Sequence, residues 1–278
     1  MNFKVLKVGL ILVVILLVVL GVGYYFLFSS EIVKAQLNID SGEVLVNGIT
    51  GYSMMKLKQG DVIDTGADGR ATIILYGSIV ISLESNTKVS LDDLTRKNPQ
   101  VSQEGGQTWN TFTKLSGVES YNLKNGEAIA SVRGTSFGIR DGYILGGEGD
   151  VLYITSGSNF SVSSKKVVEI IDGVAVERDA TPEEIENIRA QMIRAIEDLQ
   201  ALRDEVFENN VLLVKMIKQQ TGLSEEKLRD YLRQIDDGDI DLDDLMSKSP
   251  IDLEIVKRIE DITRAILKIK AKIILLDD

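Results

Sequence analysis

The chain of 278 residues contains no cysteine and no histidine. Those two absences exclude disulfide scaffolds, thiolate nucleophiles, Cys/His zinc sites and Ser-His-Asp hydrolysis. Acid–base chemistry is left to Asp, Glu, Lys and Tyr. The redox compartment stays open, since a cysteine-free chain tolerates either setting. Basic residues are in deficit, 31 against 42 acids for a net charge of −11. A phosphate-backbone binder needs a basic face, and no Lys/Arg cluster supplies one, so no nucleic-acid partner is expected. Proline occurs three times, at Pro99, Pro182 and Pro250, and the latter two stand where helices open.

Long apolar runs are also few, which makes the first one informative. From Val8 to Phe28 no charged residue occurs over 21 positions, and Leu, Val and Ile dominate. As a helix this run would rise about 31 Å, the thickness of a bilayer's hydrocarbon core. Lys4 and Lys7 precede it, and Tyr24, Tyr25, Phe26 and Phe28 crowd its far end. Positive charge before and aromatics after predict a single-pass signal anchor with a cytoplasmic N-terminus and the bulk of the chain outside the cytoplasm. A cleaved signal peptide is the rival, but its apolar region is normally about 7–15 residues and no A-x-A-like site follows.

From residue 31 to 179 the pattern becomes short alternating runs punctuated by glycine. Val44-Leu45-Val46 stops at Asn47-Gly48; Ala71, Ile73 and Leu75 share a face before Tyr76-Gly77-Ser78; Ile79, Ile81 and Leu83 share the next. Asn125-Gly126, Asp141-Gly142 and Asp172-Gly173 mark later turns. Such regularity predicts an all-β sandwich, barrel or stacked coil. Residues 95–116, with Pro99 and Gly105-Gly106, read as a long exposed loop whose Trp109 and Phe112 fold back onto the core.

One stretch, Ser131-Val132-Arg133-Gly134-Thr135-Ser136-Phe137-Gly138-Ile139-Arg140, alternates like a strand yet carries an arginine and a glycine in its middle. A glycine there predicts a bulge or a close backbone approach. The arginine beside it is expected to satisfy carbonyls or a carboxylate where the ladder is disturbed, a folding role rather than a catalytic one.

Several of these segments together resemble the FecR family. Gly60-Asp61-Val62-Ile63-Asp64-Thr65-Gly66, then Arg70 to Ser78, then Ile79-Val80-Ile81-Ser82-Leu83, follow one hallmark; Val132-Arg133-Gly134-Thr135-Ser136-Phe137 follows the second, and Gly149-Asp150-Val151 stands where the family has Glu-Gly-x-Val. The resemblance spans residues 38–175. It implies an extracytoplasmic β domain of the kind that relays a signal across a membrane to a cytoplasmic anti-sigma region. Only about seven residues precede the apolar run, and no βαβ-like receptor segment follows the β region. The resemblance therefore carries over the fold and the extracytoplasmic setting, not iron-uptake regulation.

Beyond residue 179 the period turns helical. Thr181-Pro182-Glu183-Glu184 is an N-cap, a first-position proline and first-turn acids. Ile185, Ile188, Met192, Ala195, Leu199, Leu202 and Val206 recur at three- and four-residue spacing, as do Ile255, Ile259, Ile262, Ile266, Ile269, Ile273 and Leu276. Ser224 and Ser249-Pro250 open further helices. Two stripes predict a coiled-coil-like antiparallel hairpin or small bundle, folding independently of the β region and pairing with a partner or with itself. Asp237, Asp239, Asp241 and Asp243 mimic the start of a calcium loop, but Leu242 and Lys248 occupy the positions that need glycine and glutamate, so a solvated acidic turn is expected.

The expected order is thus a transmembrane helix over 1–30, a FecR-like all-β domain over 31–179 and a helical module over 180–278. No catalytic, cofactor-binding or metal-ligating residue stands out, and no cofactor is implied. The reading is a non-enzymatic sensor or scaffold at the cell envelope, with the membrane and a protein as partners. The alternatives are a carboxylate-dependent glycan-active enzyme and an oligomeric envelope stalk.

Overall fold

The computed structural model describes residues 34–115, 117–155, 157–210, 215, 224–247 and 254–277. The apolar run at 8–28, with the anchor reading placed on it, and the helix start at Ser249-Pro250 lie outside the described residues. Among the described residues no helix is long and apolar enough to cross a membrane. Residues Lys34–Asp278 form one compact unit, which holds every element below.

Two nine-stranded sheets form the β region. One contains β1 (Ala35–Ser41), β4 (Met55–Leu57), β6 (Arg70–Leu75), β7 (Ile79–Leu83), β10 (Gln107–Phe112), β13 (Ser136–Arg140), β14 (Tyr143–Glu148), β17 (Lys166–Ile171) and β18 (Val174–Asp179), in the order β18-β17-β14-β13-β10-β7-β6-β1-β4. The other contains β2 (Val44–Val46), β3 (Ile49–Thr50), β5 (Val62–Thr65), β8 (Lys88–Asp93), β9 (Gln100–Glu104), β11 (Tyr121–Asn125), β12 (Ala128–Val132), β15 (Val151–Ile154) and β16 (Asn159–Val162), ordered β16-β15-β12-β11-β9-β8-β5-β2-β3. The chain lays a hairpin or strand on one sheet, crosses, and lays the next on the other. A shared core runs between them, from Leu37, Ile73 and Ile81 to Leu123, Val132, Phe137 and Tyr153.

The two sheets differ in how they bury side chains. In β11 and β12 burial alternates, with Tyr121, Leu123, Ala128, Ala130 and Val132 inside and Lys124 and Ile129 outside. In β7 all five residues are buried, and so are Ala71 to Leu75 of β6. A sheet with one wet face alternates; a sheet covered on both faces does not. The cover is helical.

The stretch read as a loop at 95–116 is instead β9 and β10, and β10 lies at the centre of the covered sheet between β7 and β13. It escaped the pattern because its inward side chains are polar. They form a donor chain: Tyr121 Oη to Asn110 Oδ1 at 2.8 Å, Asn110 Nδ2 to Thr108 Oγ1 at 2.9 Å, Thr108 Oγ1 to Gln103 Oε1 at 2.7 Å, and Gln103 Nε2 to the Gly106 carbonyl at 3.1 Å. The chain crosses from one sheet to the other and back, so the polar groups cost little and tie the sheets together. Trp109 and Phe112 are buried, as expected.

Among the described residues the helices that follow are α1 (Pro182–Glu208), α2 (Glu225–Asp236), α3 (Leu242–Ser247) and α4 (Glu254–Asp277). The expected capping box at Thr181 and Glu184 is present, and Ser224 caps α2. Arg178 and the Tyr143 hydroxyl also bind the Glu184 carboxylate, each at 2.8 Å, and hold its pKa down to about 2. Helices α1 and α4 run in opposite directions: Arg203 meets Thr263, whereas Ile188 and Lys272 both reach the far end of β14.

The two apolar stripes do face each other, but not as a free-standing coiled coil. Ile188, Met192, Leu199, Ile262, Ile266 and Ile269 share a cluster with Ile74, Val80, Trp109, Tyr143, Leu145 and Val167 of the covered sheet. The sheet is the third wall of the helical core. A helix that packs against both a helix and a sheet needs an apolar arc wider than a two-stranded seam. Expecting the helices to bury their stripes without the β core was therefore mistaken.

The acidic turn is solvated as expected at Asp237, Asp239, Asp241 and Asp243, which are exposed, whereas Asp236 just before it is not. Asp236 is buried and bound bidentately by Arg203, at 2.7 and 2.6 Å, with Gln200 donating at 2.9 Å. Lys270 of α4 donates to the Asp236 carbonyl at 2.6 Å, and Asp243 pairs with Arg264. These acids fasten α2 and α3 to α1 and α4. Among the described residues no three carboxylates gather as a metal site.

Candidate interaction site at the crossover corner

The stretch 131–140 takes its shape from where it lies. Strand β12 ends at Val132 and β13 begins at Ser136, so Arg133-Gly134-Thr135 is the step from one sheet to the other. Gly134 has φ +103°, a conformation that side-chain-bearing residues avoid. A Cβ there would touch nothing closer than Lys114 Cβ at 3.5 Å, so backbone conformation, not the expected crowding, selects glycine. Thr135 is buried, donates to the Asp150 carbonyl at 3.1 Å and accepts from the Phe112 amide at 2.9 Å. The register then slips between Ser136 and Phe137 opposite β14, as a bulge.

Two residues on, Gly138 makes room for the chain's single tryptophan. Its Cβ, if present, would stand 2.5 Å from Trp109 Cζ3. Trp109 Nε1 and Gln191 Nε2 of α1 each donate to Glu84 Oε1 at 3.2 Å, while Arg70 Nε meets Glu84 Oε2 at 3.0 Å. The indole is thus fixed between sheet and helix.

The helical layer also grips the corner. Lys272 of α4 donates to the Gly134 carbonyl at 2.8 Å and pairs with Glu148 at 2.7 Å. Burial depresses the Lys272 pKa, and Glu148 opposes that shift. One turn earlier, Lys268 donates to the Lys114 carbonyl at 2.8 Å. Both sheets and α4 therefore meet at Arg133-Gly134-Thr135.

Arg133 itself is exposed and bonds to no described residue, which overturns its expected structural role. It borders a groove of about 420 Å³ with Ser131, Thr135, Asp150, Leu152 and Ser161. Leu152 is 46 % exposed there, and Asp150 is exposed beside it. A guanidinium fork and a carboxylate that bond to no described residue, with hydroxyls and one apolar side chain, form a recognition surface suited to a polar, extended partner segment. Its parts come from β12, β15, β16 and the crossover, and Lys272 lies 138 residues beyond the carbonyl it binds. Nothing in local sequence announces that convergence.

Fold and corner together define a two-sheet β protein whose helices cover one sheet and hold the crossover between the two. Within its β region, the family model described as FecR protein matches residues 61–146. That match includes the Arg133 corner and ends within β14. Two crystal structures of a protein assigned as an anti-sigma factor from Parabacteroides distasonis ATCC 8503 are similar to part of the chain, each at 15 % identity and a TM-score of 0.40. The overlays cover 45 % of this chain and 62 % of that one. Among curated proteins none matches the chain.

Proposed function

We propose that this protein is a membrane-anchored, extracytoplasmic sensor or scaffold without enzymatic activity, whose FecR-like domain meets a protein partner at the Arg133 groove. The observation that carries the reading is the division of labour at the corner. Gly134 and Thr135 shape it, Lys272 joins it to the helices, and Arg133 is on the surface with no bond to a described residue. Partner contact at Arg133 would thus press on a backbone that α4 holds directly, a route from the groove to the helical layer. The apolar run at 8–28 and its flanking lysines support the single-pass topology, and the match to a family of regulatory membrane proteins supports the role.

Arg133→Ala in the full chain should leave thermal stability unchanged within about 0.5 kcal/mol, as for other unbonded surface side chains. A photocrosslinker at Leu152 in intact cells should capture a discrete extracytoplasmic protein, and Arg133→Ala should reduce that adduct at least about tenfold. A marked fall in melting temperature would return Arg133 to a folding role. Capture of cytoplasmic proteins alone would overturn the topology.

A further inference from the structure

Among the described residues each sheet ends in two edge strands, and three of these four edges are short. Strand β3 has two residues, β4 three and β16 four, and β4 carries Lys56 at its middle. The fourth edge, β18, has six residues and pairs with β17 without a register shift. It contains neither proline nor lysine, residues that commonly guard an open edge. Its first half is also apolar: Val174 is 63 % exposed and Val176 41 %, with Ile171 of β17 at 52 % beside them.

The turn before β18 decides which of its backbone groups are open. Asp172 and Gly173 have φ +51° and +79°, a two-residue turn in which the flanking residues bond to each other. Ile171 therefore exchanges hydrogen bonds with Val174, and by alternation Glu169 does so with Val176 and Val167 with Arg178. The N–H and C=O groups of Ala175 and Glu177 point the other way, off the end of the sheet. The Asp179 carbonyl, on that same side, accepts from Arg178 at 3.1 Å. Side chains alternate as well: Val174, Val176 and Arg178 share the helical face with Val167, and Ala175 and Glu177 take the opposite one.

We propose that β18 is a two-fold interface, pairing antiparallel with β18 of a second copy of this chain. The sequence of the edge is self-complementary in one register, with Val176 opposite its own counterpart. Ala175 then stands opposite Glu177 of the other copy, and Glu177 opposite Ala175, so every open group of these two residues finds a partner. On the helical face the two Val176 side chains touch, and Val174 meets the stem of Arg178, whose head is held by Glu184 and Glu169. Sliding the pairing one way sets Glu177 against Glu177, like charges directly opposite. Sliding it the other way sets Glu177 against Gly173 and leaves Val176 without its counterpart. The favoured register joins the two covered sheets into one, with both helical layers on the same side. Arg178 also binds Glu184 in the first turn of α1, so the interface lies at the joint between strands and helices. It depends on neither the Arg133 groove nor the anchor.

Because the chain has no cysteine, single-cysteine variants of the full chain in detergent read the register directly. Opposed residues that are not hydrogen-bonded to each other stand about 4.5 Å apart between Cα atoms. That spacing suits a disulfide, so Val176→Cys should form a covalent dimer on mild oxidation. In this register Val174 and its counterpart lie about 13 Å apart along the strands, so Val174→Cys should react at least about tenfold more slowly. Sedimentation of the wild-type chain should give the mass of two copies, and Glu177→Pro, which removes an outward N–H, should give one copy with unchanged helical circular dichroism. Equal rates for the two cysteine variants would overturn the proposal. So would a wild-type chain that sediments as a single copy, a folded Glu177→Pro chain that stays dimeric, or a disulfide from Val176→Cys to a different protein in place of its own copy.

Discussion

Arg203→Ala should lower the unfolding free energy by about 3–5 kcal/mol, read as an earlier midpoint in urea. The guanidinium is 3 % exposed and its partner Asp236 2 %, so removing it strands a carboxylate where water cannot reach. Gln200 and the Lys270 contact to the Asp236 backbone remain, but neither supplies a paired charge at the carboxylate. The pair joins α1, the end of α2 and, through Thr263, α4, so the loss should appear as fraying of the whole helical layer. Replacing both members with apolar residues, Arg203→Met with Asp236→Leu, should recover most of the stability, because the cost lies in the orphaned charge. A single variant that melts like wild type would show that the helices do not depend on this contact.

Gly138→Ala should cost about 2–3 kcal/mol. Its Cβ would fall 2.5 and 2.6 Å from two carbons of the Trp109 ring, distances that real Cβ atoms do not sustain. The ring cannot simply slide, because Glu84 holds its nitrogen and the helical cluster packs against its face. The indole must therefore leave its site, and with one tryptophan in the chain its fluorescence reports the event without ambiguity. The emission of the variant should shift to the red under native conditions. Unchanged emission and stability would mean that sheet and helix leave more room than the geometry shows.

Parts of this arrangement are legible in sequence because their physics is local. Asn47-Gly48 and Tyr76-Gly77 adopt positive φ in the turns expected of them, and Thr181-Pro182-Glu183-Glu184 caps the helix it announces. Ile73 and Ile81 line the core through simple alternation. Where local rules failed, a distant partner had changed what a residue is for. Gln103, Thr108 and Asn110 look like loop residues until Tyr121 closes their hydrogen-bond chain. Asp236 looks solvated until Arg203 and Lys270 arrive from other helices. Ile74 and Val80 look like the outer face of a strand, yet that face receives the helices.

The candidate corner divides the same way. The glycine of Arg133-Gly134 was recognisable as a backbone requirement, although the cause is positive φ and not crowding. The freedom of Arg133 was not recognisable, because being unbonded is a property of the surroundings.

The central claim is that the helices and the two sheets are one structure, with the cover sharing its core with the sheet beneath. Equilibrium urea unfolding of the full chain tests it most directly, followed at once by Trp109 fluorescence, helical circular dichroism at 222 nm and the β-sheet amide I band. The account predicts coincident transitions with a single midpoint, because the tryptophan stands at the boundary that joins the layers. Loss of the helical signal at lower urea, with the β band intact, would contradict it and leave two modules that merely touch.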